Sequence, residues 1–182
     1  PPESQSALAL KTLCGFGTAE IANAFLISEA AVAKRLVRAR QRLHSADVPF
    51  QIPDDHELPA RLDSVLETIY LLFSEGHKAT SGDHVFRADL CMEAIRLGEI
   101  LAGHPAGNEG RTHALLALMC LTAARLPART DAQGNLLLLE DQDRSRWDGR
   151  MIQAGFRHLE KSSQCAAITP FHLQAGIAAC HA

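Results

Sequence analysis

LISEAAVAKRLVRARQRL, residues 26–43, sets one serine ahead of a helical pattern that carries five basic side chains. Ser28 is of the type that caps helix N-termini, because its hydroxyl oxygen can accept an otherwise unpaired backbone N–H. At about 100° per residue, Val32, Leu36, Ala39 and Leu43 share one narrow arc, the expected buried stripe. Lys34, Arg35, Arg38 and Arg42 gather on one flank, and Arg40 lies on the other. Ala30, Ala33, Lys34 and Val37 point away from the stripe. Small side chains there let a helix lie close against another surface.

Working outward, ALALKTL (7–13) begins an apolar stripe that stops at Cys14-Gly15, where glycine can end a helix. GTAEIANAF (17–25) predicts a second short helix, with Ile21, Ala22 and Phe25 inward. Its Glu20 stands three residues after Gly17, the spacing of a capping box. A tight turn at Leu26-Ile27 leads to Ser28. Two short helices, a turn and a capped basic helix make a helix-turn-helix. Such a helix enters the major groove by its N-terminal end, where its dipole and free amides favour phosphate. Flanking cations neutralise backbone charge and release counterions. The expected DNA-binding residues are therefore Ser28, Ala30, Ala33, Lys34, Arg35, Val37, Arg38 and Arg42. Of the basic residues in that set, Arg35 lies nearest the buried stripe.

Charge is divided along the chain. Residues 1–45 hold six Lys and Arg against three acids, a net of +3. Residues 46–182 hold twelve against eighteen, a net of −6. A basic head on an acidic body directs only the head to a polyanion. The 182 residues, 47% hydrophobic, allow one domain or two small ones with a real core. No apolar run approaches a bilayer span, and no signal-peptide pattern opens the chain. The five cysteines, Cys14, Cys91, Cys120, Cys165 and Cys180, form no C-x-x-C pair. They are expected as small core residues in a reducing cytoplasm, without a disulfide framework.

ADVPFQIPDDHE (46–57), with two prolines and a run of acids, predicts a linker. Beyond it the pattern is helical. LPARLDSVLETIYLLFSEG (58–76) is amphipathic, with Leu62, Val65, Leu66, Ile69 and Leu72 inward. DHVFRADLCMEAIRLGEILAG (83–103) is a second such helix, and RTHALLALMCLTAARL (111–126) is apolar nearly all round and so central. Asp131 to Asn135 form a turn inside a small hairpin near 128–139. DRSRWDGRMIQAGFRHLEK (143–161) and TPFHLQAGIAACHA (169–182) supply two more helices. The expected fold is all-α: a helix-turn-helix module (1–45), a linker (46–57) and a helical-bundle extension (58–182).

GFGTAEIANAFLISEAAVAKRLVRARQRL (15–43) resembles region 4 of the sigma-70 family in its extracytoplasmic-function branch. The usual pattern there is G-L-S-x-x-E-I-A-x-x-L-G-I-S-x-x-T-V-K-x-R-L-x-R-A-R-x-x-L. The chain keeps Gly15, Glu20, Ile21, Ala22, Ile27, Ser28, Val32, Arg35, Leu36, Arg38, Ala39, Arg40 and Leu43. It departs at Gly17 for Ser, Leu26 for the turn Gly, Ala31 for Thr and Ala33 for Lys. A left-handed Leu26 would cost on the order of 1 kcal/mol. LPARLDSVLETIYLLFSEGHKATSGD (58–83) and LLLLEDQDRSRWD (136–148) resemble the helical, tetratricopeptide-like C-terminal extension of one subgroup. The resemblance implies recognition of the −35 promoter element and contact with the flap of the RNA polymerase β subunit. It implies region 2 upstream of Pro1 and an extension continuing past Ala182. The extension could occupy the basic face of region 4, or contact region 2.

No catalytic set is found, so an enzyme is not expected. Nine histidines lack H-E-x-x-H spacing, and Ser81 and Ser145 lack a nucleophile elbow. No phosphate loop is present, and no cofactor or metal is expected. Glu140, Asp141, Asp143 and Asp148 are expected as helix-start acids, Trp147 as a core anchor, and His77 as a loop residue. Two other classes stay open: a helix-turn-helix regulator with a helical dimerisation or ligand domain, and a helical enzyme or scaffold with an incidental basic helix.

Overall fold

A computed structural model describes residues 1–46, 53–54, 56–78, 86–165 and 167–182. The expected linker lies largely outside these residues, as does most of the loop after His77. Among the described residues the fold is all-α, as the periodicity predicts, with no strand. No described helix is long and apolar enough to cross a membrane.

The head is three helices. α1 (Pro2–Thr12) starts on a proline, which needs no N–H at that position. Gly15 turns the chain at φ +73°, and the Phe16 N–H donates to the Leu10 carbonyl at 3.0 Å. α2 (Thr18–Ala24) is capped by Glu20, whose carboxylate accepts the Gly17 N–H at 2.5 Å. α2 ends in a Schellman arrangement: Leu26 N–H donates to Asn23 C=O at 3.1 Å and Ile27 N–H to Ala22 C=O at 2.9 Å. Leu26 occupies the left-handed position at φ +53°, with its side chain 90% exposed. The turn thus keeps its glycine geometry without glycine. α3 (Glu29–Ser45) packs on α1 and α2.

The extension holds α4 (Leu58–His77), α5 (Ala88–Gly103), α6 (Gly110–Ala123), α7 (Gly149–Ser162) and α8 (Pro170–Ala179). α5 packs on α4, α6 packs on α5, and α7 and α8 both pack on α6. Every α6 residue from Thr112 to Ala123 is buried, which places this helix at the centre. Two glycines allow the closest crossings. A Cβ on Gly76 would stand 2.7 Å from the Cys91 backbone N, and one on Gly155 would stand 2.6 Å from Leu121 Cγ.

Head and extension share one hydrophobic cluster, running from Ala7, Leu10, Phe16 and Ile21 into Leu62, Leu66, Ile69 and Leu72. α1 lies against α4. There the buried Ser6 hydroxyl donates to Glu67 Oε2 at 2.8 Å. Arg87, ahead of α5, reaches Glu20 of α2 at 3.7 Å.

Several expectations change. The hairpin near 128–139 shrinks to a single antiparallel bridge, Thr130 to Leu136. Asp131 closes this turn with its own side chain, accepting the Gln133 and Asn135 N–H groups at 2.9 and 2.8 Å, so no longer ladder is needed. The helix over 143–161 is interrupted: Arg144–Arg146 form a 3-10 turn, and α7 restarts at Gly149 under an Asp148 cap. Asp143 caps the 3-10 turn in the same way, and Trp147 is buried. His77 lies in the last turn of α4 rather than in a loop. Val65 turns out to line a groove between α1, α4 and α5 instead of the core. Cys91 and Cys120 are buried, whereas Cys165 and Cys180 are exposed near the chain end; all five are free thiols.

Candidate nucleic-acid interface

α3 is positioned from behind. Val32 and Leu36 are fully packed against α1 and α2. Ala39 is half-buried, and Leu43 is 47% exposed although it belongs to the same arc. The reason is length. α3 has 17 residues and its supports have 11 and 7, so its last turns run past them.

The start of α3 is fixed by Ser28, whose hydroxyl oxygen accepts the Ala31 N–H at 3.3 Å. Ser28 remains exposed, and so do Ala30, Ala33, Lys34, Val37, Arg38 and Arg42. Ala30, Lys34, Val37 and Arg38 lie on the side of α3 away from Val32, with Arg42 on their flank and Ser28 at the helix start; Val37 is 51% exposed. Arg38 and Arg42 border a shallow depression together with Gln41 and Ser45. Gln41 was missed in the sequence, although the same 100° count puts it directly opposite Val32.

Arg35 behaves differently. Its Nη2 pairs with Glu3 Oε2 at 2.9 Å, and its Cζ lies 5.4 Å from the centre of the Phe25 ring. Only a quarter of the side chain is exposed, and Nη1 is enclosed. The guanidinium therefore turns back toward α1 and away from that exposed side. Lys11 is also engaged inside the head, donating to the Phe16 carbonyl at 3.0 Å. The cations left outward on α3 are Lys34, Arg38, Arg40 and Arg42.

α4 of the extension packs on α1 and α2, and among the described elements α3 makes substantial contact only with those two helices. Among the described residues, no helix of the extension makes substantial contact with α3.

The family model described as "Sigma-70, region 4" matches residues 1–43, the three-helix head. The model described as "Family of unknown function (DUF6596)" matches residues 61–163, most of the extension. The chain belongs to that DUF6596 family. It is also similar to a protein of Rhizobium meliloti (strain 1021) named "Uncharacterized protein R00370", with 43% identity over 183 residues. That likeness covers all of this chain and 43% of the relative, so the chain spans less than half of the relative's length. No solved structure matches. The head thus carries a sigma-70 region 4 module in helix-turn-helix form, and its exposed residues from Ser28 to Arg42 fall wholly inside the matched segment.

Proposed function

We propose that this chain is the promoter-reading part of an extracytoplasmic-function sigma factor. In this role the head (1–45) reads the −35 element and touches the β flap of RNA polymerase. A connection (46–57) joins it to a helical extension (58–182) that steadies the head from behind. The protein then works as a cytoplasmic transcription factor and not as an enzyme. One observation carries the proposal: within a region 4 module, the face of the Ser28-capped helix that carries Lys34, Val37, Arg38 and Arg42 is left open. Cations there suit phosphates, while Ala30 and Ala33 let the helix sit deep enough for base edges to be reached. The net negative charge of the extension, which meets the head through α4 on α1 and α2, favours approach of DNA at α3.

The test is fluorescence anisotropy with a −35-like duplex and a scrambled one across a salt series. Each phosphate contact contributes about 0.9 to the slope of log affinity against log salt. A Lys34→Ala/Arg38→Ala/Arg42→Ala variant is expected to lose about three such contacts and to bind both duplexes weakly. Equal affinity and equal slope in the variant would refute the assignment of this face. Capture of core RNA polymerase by the chain separates a sigma factor from an ordinary helix-turn-helix regulator, which would bind DNA without it.

A further inference from the structure

We infer that Arg35 is a positioning residue that brackets all three helices of the head and sets the pitch of α3. The inference rests on the promoter-reading role proposed above and assigns Arg35 a task other than contact with DNA. One side chain reaches three elements. It springs from α3, its guanidinium pairs with Glu3 in the first turn of α1, and its flat face covers Phe25 at the end of α2. Phe25 immediately precedes the left-handed Leu26, so the bracket closes over the turn that aims α3. Planarity matters here. Guanidinium can stack on a ring and pair with a carboxylate in one pose, which a point-like ammonium cannot. A phosphate contact would need the opposite arrangement, a guanidinium at the surface as at Arg38.

The two roles predict opposite results at Glu3. Removing an acid from a DNA-binding head raises DNA affinity if only long-range charge is at stake. Removing half of a bracket lowers it, because α3 then spends less time in the binding-competent pose. Glu3→Gln and Arg35→Met are each expected to weaken binding of a −35-like duplex by about tenfold, the factor that a lost contact of roughly 1.4 kcal/mol allows. The slope against salt is expected to stay at the wild-type value in both variants, whereas Arg38→Ala lowers it by about 0.9. The double variant is expected to be no worse than Arg35→Met alone, since both changes break the same link.

Amide hydrogen exchange in the full chain gives a readout independent of DNA. Residues 29–35 are expected to exchange faster in both variants while α6 stays as protected as in wild type. A salt slope lowered in Arg35→Met, or tighter binding by Glu3→Gln, overturns the bracket. So does unchanged exchange over residues 29–35. If the wild-type chain binds no duplex, the promoter-reading role fails instead, and the exchange result alone decides the bracket.

Discussion

His113 and His158 meet through their Nδ1 atoms at 3.0 Å in the buried seam between α6 and α7. The outer nitrogens are also engaged: His113 Nε2 with Asn108 Oδ1 at 2.8 Å, and His158 Nε2 with Glu99 Oε1 at 2.9 Å. Three bonds in this row require three ring protons, one more than two neutral imidazoles carry. With Asn108 Oδ1 as acceptor, the row is complete only while a third ring proton is present. Burial, then the His158 and Lys161 charges, lowers the pKa of His113 and so favours release of that proton as pH rises. Once it leaves, Asn108 must turn its amide over and donate to His113 for the row to stay closed. Asn108→Asp offers acceptors alone, so the pKa of His113 is expected to move up, as read from its imidazole NMR signals. A pKa that stays or falls would contradict the proton count.

His77 makes stability depend on pH in the acid range. Burial, followed by Arg129 and Arg125, lowers its pKa from 6.5 to about 4. The unfolded chain then takes up a proton below about pH 6.5 that the folded chain refuses. Stability is therefore fully present above that pH and is lost as pH falls toward 4, by at most about 3 kcal/mol. Urea titrations of wild type and His77→Gln between these limits are expected to show a shallower decline in the variant. Parallel curves would mean that other groups set the slope.

Leu26→Gly is expected to stabilise the head by up to about 1 kcal/mol, the strain of a left-handed leucine less the entropy of an added glycine. The Leu26 side chain is almost wholly exposed, so little packing is lost. Chemical denaturation of the two proteins measures this directly, and a destabilised variant would show that the leucine contributes a contact.

Two other glycines should respond in opposite directions to alanine. At Gly76 the new methyl would strike the backbone of Cys91, which cannot step aside without parting α4 from α5. A loss of about 1–3 kcal/mol is expected. At Gly149, the first residue of α7, nothing stands within 4 Å of the new Cβ. Alanine there should add about 0.5–1 kcal/mol through a less flexible unfolded chain. Thermal melts of both variants suffice, and equal signs would refute the packing account.

Local signals were legible in the sequence because local physics produces them. Ser28 and Gly15 mark helix ends, Val32 and Leu36 mark a packed face, and the run at 111–126, apolar nearly all round, marks the central helix. Angle counting misled at Leu43 because it records which way a side chain points and not whether anything stands there. Arg35 shows the same limit: its direction was close to correct, but its partner Glu3 is 32 positions away and belongs to another helix. The Ser6–Glu67 bond is more distant still, so the shared core of head and extension could not be read from periodicity. Around Asp131 the backbone pairing extends over only a few residues and the side chain closes the turn, so a hairpin signal yields a single bridge.

The enclosure of α6 has a consequence for biosynthesis. A helix buried on nearly every side is fully covered only once α7 and α8 have left the ribosome, because both pack on it and both follow it in sequence. During that interval the nascent chain displays a sticky rod that chaperones recognise and that other nascent chains can adhere to. The pace at which α7 and α8 emerge after α6 therefore bears on yield, although it alters no contact in the finished molecule.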